Sequence, residues 1–463
     1  MVKDICCIGA GYVGGPSMAV IADKCTDINV NVVDINAKRI DFWNSEDLSK
    51  LPVFEPDLDK VIERCRGRNL FFSTNIIKNL EKADIIFISV NTPTKTNGVG
   101  AGQASDLKWV EECARQIAKY ASGHTIIVEK STVPVRTAQT IKTILEYHID
   151  DSSENPSKTF SVLSNPEFLS EGTAINDLNF PDRVLIGGDD KESIEVLARI
   201  YQKWIDPSKI IRTKIWSSEL SKLTANAFLA QRISSINSIA ALCEKTEADI
   251  VEVVEAIGSD KRIGKNFLLS GPGFGGSCFQ KDLLNLIYIA KSYGLTQVAD
   301  YWQAVLDLNK WQKNRISELI IKNLFGTVSG KKIAIFGFAF KANTNDTRES
   351  PSILICKNLI MEGAKLFIYD PKVAELDISN ELNSDVQETS NHNGFWIKSN
   401  DPLDACLNAD AIIFLTPWDE FKSFPFNKIY KSMRKPAWIF DARNCIDIDL
   451  VKEIGFKVWR IGS

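Results

Sequence analysis

A short apolar run, Ile5-Cys6-Cys7-Ile8, leads directly into Gly9-Ala10-Gly11-Tyr12-Val13-Gly14, and a second apolar stretch follows without a break. Glycines at the first, third and sixth positions allow a turn too tight for side chains. The apolar residues after them carry helical spacing. Asp34 stands twenty residues beyond Gly14, at the end of another apolar run that begins at Val30. The glycine spacing alone is a weak signal. Set between a strand and a helix, with an acid at that distance, it specifies a strand–turn–helix–strand unit. Such a unit holds a dinucleotide pyrophosphate on the helix N-terminus and the ribose hydroxyls on the acid. An acid there repels a 2′-phosphate, which favours NAD over NADP.

The pattern continues along the chain. Asp84-Ile85-Ile86-Phe87-Ile88-Ser89-Val90 runs into Asn91-Thr92-Pro93-Thr94, and the run 125–129 into Lys130-Ser131-Thr132-Val133-Pro134. Polar loops at the carboxyl ends of parallel strands are where α/β sheets place ligands. Ser161-Val162-Leu163-Ser164 ends likewise, in Asn165-Pro166-Glu167-Phe168-Leu169-Ser170-Glu171-Gly172. Its two carboxylates read equally well as solvated loop acids or as site residues. From Lys331 the opening pattern returns: Ile333-Ala334-Ile335-Phe336 before Gly337, a strand ending at Asp370, and 409–417 echoing 83–87 with its Thr92-Pro93. The turn Gly337-Phe338-Ala339-Phe340-Lys341 lacks the three-glycine spacing, so a different nucleotide, held partly by Lys341, is expected there. Arg443, after the strand 437–440, offers a further cation for phosphate.

Between these halves, 217–244 is the longest helical pattern, with neither glycine nor proline inside it. Its apolar residues occur nearly all round, which predicts burial between domains or against another subunit. Lys222 and Asn226 lie one turn apart on it, a costly pair to bury without partners. Further on, Gly271-Pro272-Gly273-Phe274-Gly275-Gly276-Ser277-Cys278 precedes an apolar helical run. Four glycines in six residues would let backbone approach a ligand closely. Cys278 falls at the predicted helix N-terminus, where a thiolate is favoured, and Asp282 one turn later shares its face.

The expected fold is α/β: two doubly wound Rossmann-like domains (1–214 and 326–463) joined by a long central helix and a helical middle domain (215–325). Composition narrows the function. A net charge of -4 with scattered basic residues leaves no footprint for nucleic acid or an anionic membrane. No apolar run reaches membrane-spanning length. Ten cysteines without CxxC pairs, and three histidines (124, 148 and 392) in no metal-ligand pattern, suggest neither a metal site nor a disulfide framework. Reduced thiols suit a cytoplasmic protein. Two nucleotide-type domains and a cysteine in a glycine loop imply dehydrogenase chemistry on a nucleotide-linked substrate.

Over nearly its whole length the chain resembles the UDP-glucose 6-dehydrogenase family, its animal-type members closely. The matching segments are 5–16, 87–94, 129–136, 164–173, 216–238, 274–282, 337–341 and 346–350. The resemblance implies NAD-dependent, two-step oxidation of the UDP-glucose C6 alcohol to UDP-glucuronate, giving two NADH. It implies that Cys278 forms a thiohemiacetal and then a thioester, and that Lys222 and Asn226 stabilise the oxyanion. Asp282, Thr132 and Glu167 would serve the hydrolytic water. Cofactor contacts would come from Gly9, Ala10, Gly11, Tyr12, Val13, Gly14, Asp34, Arg39, Val90, Asn91, Thr92, Pro93, Thr94, Ser131, Thr132, Glu171, Lys281 and Arg348. UDP-sugar contacts would come from Glu167, Phe168, Leu169, Ser170, Glu171, Lys222, Leu223, Thr224, Ala225, Asn226, Phe274, Gly275, Phe340, Lys341 and Arg443. Arg262 matches an arginine lent by a neighbouring subunit, within a homodimer building block of a homohexamer. The segment 129–136 matches a switch region for feedback by a UDP-sugar such as UDP-xylose. Two departures stand out: Leu269 occupies a substrate-loop position held by lysine in animal-type relatives, and the sequence ends at Ser463, short of their longer polar tail.

Overall fold

The computed structural model describes residues 2–151, 158–386 and 393–463. His392 and the side chain of His148 lie outside the described residues. The chain groups into two compact units, Met1–Ala225 with Leu284–Gly294, and Asn226–Leu283 with Leu295–Ser463. Residues 215–325 are divided between them.

The first unit is built on eight strands: β1 (Asp4–Ile8), β2 (Asn29–Val33), β3 (Leu70–Ser73), β4 (Ile85–Ile88), β5 (His124–Glu129), β6 (Thr159–Ser164), β7 (Val184–Gly188) and β8 (Ile210–Thr213). They lie in the order β3-β2-β1-β4-β5-β6-β7-β8, all parallel except the β6–β7 pair. The first six strands thus follow the doubly wound order. Burial explains the unbroken apolar runs of these strands. Ile5 and Cys7 of β1 join one hydrophobic cluster and Cys6 and Ile8 another, because helices cover both faces of the sheet. The edge strands β3 and β8 are only four residues long and partly exposed, so no such run announced them.

The second unit carries β9 (Lys332–Phe336), β10 (Lys365–Tyr369), β11 (Phe395–Lys398), β12 (Ala411–Phe414), β13 (Trp438–Asp441) and β14 (Lys457–Arg460). Their order, β11-β10-β9-β12-β13-β14, is the doubly wound order again, here wholly parallel. Phe336 centres its core, with the rings of Phe414, Phe421 and Phe424 at 5.2–5.5 Å. Helical residues Ile236, Ala240, Ile250, Ile316 and Ile320 join the same cluster.

The expected long helix spans Ile215–Thr246. Leu220, Phe228, Ile239 and Leu242 stay exposed on it, so this chain's own core does not use up its apolar surface. Among the described residues, no helix is long and apolar enough to cross a membrane.

Candidate functional site

The first glycine turn separates protein packing from ligand space. A Cβ on Gly9 (φ 109°) would lie 2.2 Å from the Ser89 carbonyl oxygen, and one on Gly14 2.0 Å from that of Gly9. Both glycines therefore answer to the sheet and the turn. A Cβ on Gly11 would meet nothing within 4 Å, which leaves open space where a pyrophosphate would approach backbone. The Trp43 indole N–H donates to the Ala10 carbonyl at 2.9 Å, and its ring stacks on Phe72, holding the turn from beneath. Asp34 accepts the Ala10 N–H at 3.0 Å and the Asn36 N–H at 2.9 Å, and pairs with Arg39 at 3.1 Å. These residues fit a dinucleotide: a cradle at Gly11 and an acid oriented at the strand end.

Two neighbouring loops are tied to each other. The Thr92 hydroxyl donates to the Thr132 carbonyl at 2.8 Å, and Ser131 donates to that of Val90 at 2.7 Å. Beyond β6, both loop acids expected to be either solvated or functional are withdrawn from full exposure. Glu167 is buried, with Oε1 3.5 Å from the equally buried Lys222 Nζ. Its Oε2 finds no hydrogen-bond partner among the described residues. The Phe168 ring receives two cations, Arg183 at 3.9 Å and Lys222 at 5.3 Å. Leu223 is fully buried, which leaves its side chain to packing.

In the second unit, the helix Phe279–Ser292 begins directly after Cys278, and the Asp282 N–H donates to the Cys278 carbonyl at 2.8 Å. Asp282, 1% exposed, accepts Asn226 Nδ2 at 2.6 Å and lies 3.5 Å from Lys281 Nζ. The Cys278 thiol lies 3.4 Å from the Ser277 hydroxyl. Of the ten cysteines it alone is not buried. Burial pushes the thiols of Cys6, Cys113 and Cys406 up to about 12, and those of Cys25 and Cys65 to about 11, which makes them inert as nucleophiles.

The glycines before Cys278 are required for a different reason from the expected approach of a ligand. A Cβ at Gly271, Gly273, Gly275 or Gly276 would meet Arg443 at 3.0 Å, Asn309 at 2.7 Å, the Glu349 carbonyl at 2.4 Å or the Phe340 ring at 2.9 Å. The chain's own side chains and backbone crowd this loop. Side-chain amides then fix it. Asn309 accepts the Phe274 N–H at 2.8 Å and donates to the Phe274 carbonyl at 3.2 Å, while Asn237 and Gln312 hold the two ends of Gly271.

The turn after β9 differs from that after β1 in its acid. Asp370 receives five donors: the N–H groups of Phe338, Ala339, Lys372 and Val373, and the Trp418 indole. A carboxylate has about four lone-pair sites, so Asp370 keeps no capacity for a ribose. Arg443 donates to the carbonyls of Leu415 and Phe340 at 2.7 and 3.1 Å; burial lowers its pKa to about 10, so it stays cationic. Lys341 Nζ stands 5.5 Å from the Phe340 ring centre. Arg348 pairs with Asp346 at 2.6 Å, and the exposed Arg262 with Asp260 at 2.5 Å. Leu269 is exposed. Among the described residues, no three His, Cys, Asp or Glu side chains converge as a metal site.

Comparison with known proteins accounts for both sheets and the segment between them. The NAD binding domain of the UDP-glucose/GDP-mannose dehydrogenase family matches residues 3–205, its central domain 216–311 and its UDP binding domain 334–448. The chain belongs to the UDP-glucose/GDP-mannose dehydrogenase family. Within the family it is 54% identical to UDP-glucose 6-dehydrogenase of Gallus gallus, covering 100% of this chain and 93% of that protein. It is 52% identical to UDP-glucose 6-dehydrogenase 3 of Oryza sativa subsp. japonica, covering 100% and 97%. The solved structure of a UDP-glucose dehydrogenase from Pyrobaculum islandicum superposes with a TM-score of 0.83 at 27% identity, over 99% of this chain and 98% of that one.

For a member of this family, the sequence left one buried pair unnoticed. Glu129, at the end of β5, is 1% exposed, and burial raises its pKa far above the carboxylate range. The neighbouring Glu219 carboxyl raises it further, and Glu219 itself accepts the N–H groups of Arg136 and Ala138 at 2.7 and 2.8 Å. Buried beside a second carboxyl, Glu129 keeps its proton well above the ordinary carboxylate range. No local motif marks such a pair, because its partners lie 90 residues apart. The folded state keeps a proton that the unfolded chain releases above the ordinary carboxylate pKa of about 4.3. Stability from this site is therefore undiminished below that pH and falls as pH rises toward the folded-state pKa. Glu129→Gln keeps the shape of the side chain and removes the titration. Its apparent melting temperature is expected to gain on the native chain progressively from pH 5 to pH 8. Parallel melting profiles would refute the raised pKa of Glu129.

Proposed function

We propose that this chain is an NAD-dependent UDP-glucose 6-dehydrogenase, taking the C6 alcohol of UDP-glucose to the carboxylate of UDP-glucuronate. Full-length similarity to proteins of that name supports the reading. The observation that carries it furthest is Cys278, the one cysteine left accessible, at a helix start one turn from the Asp282–Asn226 pair. When bound, NAD would supply the hydride acceptor for each oxidation. It would be held by Gly9 to Gly14, Asp34 and Arg39, with 90–94, Ser131, Thr132, Glu171, Lys281 and Arg348.

The chain's residues then divide the work. The Cys278 thiolate adds to the C6 aldehyde carbon and forms a C–S bond. The Lys222 ammonium and the Asn226 amide stabilise the oxyanion, as fixed donors in a water-poor site do. Loss of the second hydride leaves a thioester. Water adds to its carbonyl, the C–S bond breaks, and the thiolate and the carboxylate are left with release of the water's two protons. Glu167 and Thr132 orient that water, and Asp282 assists proton transfer. Glu167 suits this task because its Oε1 faces Lys222 while Oε2 has no partner among the described residues. Phe274, Gly275, Phe340, Lys341 and Arg443 are assigned to the UDP-sugar, with 167–171 and 222–226. The division into 1–214, 215–325 and 326–463 follows these tasks.

The chain is further read as a cytoplasmic homodimer building block of a hexamer, using the exposed apolar residues of the central helix, with Arg262 lent across subunits. Counting products tests the chemistry. With UDP-glucose, two NADH per UDP-glucuronate are expected, and little turnover with UDP-galactose or GDP-mannose. One NADH per oxidised sugar nucleotide would leave a simple alcohol dehydrogenase in its place.

A further inference from the structure

The loop 165–173 carries the proposed water-orienting Glu167 and the cofactor-facing Glu171, and its two ends are held differently. At the β6 end, Asn165 is fixed by main-chain and side-chain bonds. Its N–H donates to the Glu129 carbonyl at 2.9 Å and its Nδ2 to that of Leu185 at 2.8 Å; its Oδ1 accepts Tyr201 at 2.6 Å and Lys130 at 3.2 Å. At the far end, the anchor comes from more than a hundred residues away. Glu55, 5% exposed, accepts the Gly172 N–H on Oε1 at 2.8 Å and the Ala174 N–H on Oε2 at 3.0 Å. Asp177 adds a weaker hold, accepting the Ser170 N–H at 3.0 Å and the Thr173 hydroxyl at 2.8 Å.

A buried carboxylate is an expensive way to pack a surface segment, since it must be stripped of water and then satisfied. An apolar side chain would cover the same area at lower cost. What the carboxylate adds is geometry: two charge-assisted bonds to amides two residues apart fix the direction in which the backbone leaves the loop. Gly172, at φ 82°, occupies the conformation those bonds require.

We propose that Glu55 is a positioning residue for this loop, holding Glu167 and Glu171 at their working places through the amides of Gly172 and Ala174. The inference rests on the function proposed above. It assigns Glu55 to the hydrolytic half of the reaction, because Glu167 serves the water that breaks the C–S bond. Once the loop loosens, both oxidations still proceed to the thioester, and release of the carboxylate slows.

Glu55→Gln keeps one acceptor but turns an amide NH2 against a backbone N–H. Its steady-state turnover is expected to fall roughly 10- to 100-fold, the cost of an ångström-scale misplacement at a reacting centre. Rapid mixing with UDP-glucose and NAD should show an NADH burst approaching two per active site before the slow phase. Glu55→Asp should recover part of the rate. Amide hydrogen exchange should quicken at 167–174 in Glu55→Gln. In folded Glu55→Gln, a burst and steady state lowered together overturn the proposal, as does unchanged turnover. Should Glu55→Gln not fold, Asp177→Asn releases Ser170 and Thr173 from the same loop and is expected to show the same burst at a smaller loss. A native chain that reduces no NAD with UDP-glucose sinks the proposed function. The exchange experiment judges Glu55 independently: unchanged protection at 167–174 overturns its role whatever the substrate.

Discussion

Cys278→Ser is expected to abolish turnover, with a loss of at least about 10³-fold, the scale on which removal of a covalent nucleophile is felt. The change is close to isosteric and the residue is only partly buried, so the fold and UDP-glucose affinity should survive. The pKa of a serine hydroxyl lies far above that of a thiol. The nucleophilic step therefore stops before a thiohemiacetal forms. No other cysteine replaces it, since the remaining nine are buried. Steady-state NADH production alongside calorimetric titration of UDP-glucose checks the prediction. Near-native turnover in the serine variant would remove the covalent mechanism altogether.

Lys222→Met is expected to lower kcat by roughly 10²- to 10³-fold, as loss of one fixed oxyanion donor does elsewhere. It should also destabilise the first unit. Lys222 and Glu167 are both almost fully buried, and removing the cation leaves the Glu167 carboxylate without its charge partner. Breaking such a pair from one side costs about 3–5 kcal/mol. The double variant Lys222→Met with Glu167→Gln should recover much of that stability and none of the activity. Urea midpoints and kcat across the four proteins of this cycle separate the two effects. A double variant no more stable than Lys222→Met would mean the buried pair carries no charge coupling.

The carbon-copy strands were readable because parallel sheets covered on both faces demand apolar residues at every position. β1, β4, β5, β9 and β12 all announce themselves in that way. β3 and β8 did not, being short edges with exposed positions. The same contrast holds at the site. Cys278, Lys222, Asn226 and Asp282 stood out through spacing along one helix or one turn. Glu55, Glu219 and Asn309 carried no spacing signal, because each acts on backbone brought to it from a distant part of the chain.

The sequence by itself determined the two doubly wound sheets, the long helix and the dinucleotide turn. These depend on periodicity and on steric rules that operate over a few residues. Only the tertiary structure decided what the glycines are for. Gly11 faces open space, while those at 271, 273, 275 and 276 are pressed by Arg443, Asn309, Glu349 and Phe340. It also decided which acid at a strand end stays usable: Asp370 receives five donors, and Asp34 two backbone amides and an arginine. The physical reason is common to both cases. Steric crowding and hydrogen-bond satisfaction are properties of neighbours in space, and those neighbours lie tens of residues or more from the motif they complete.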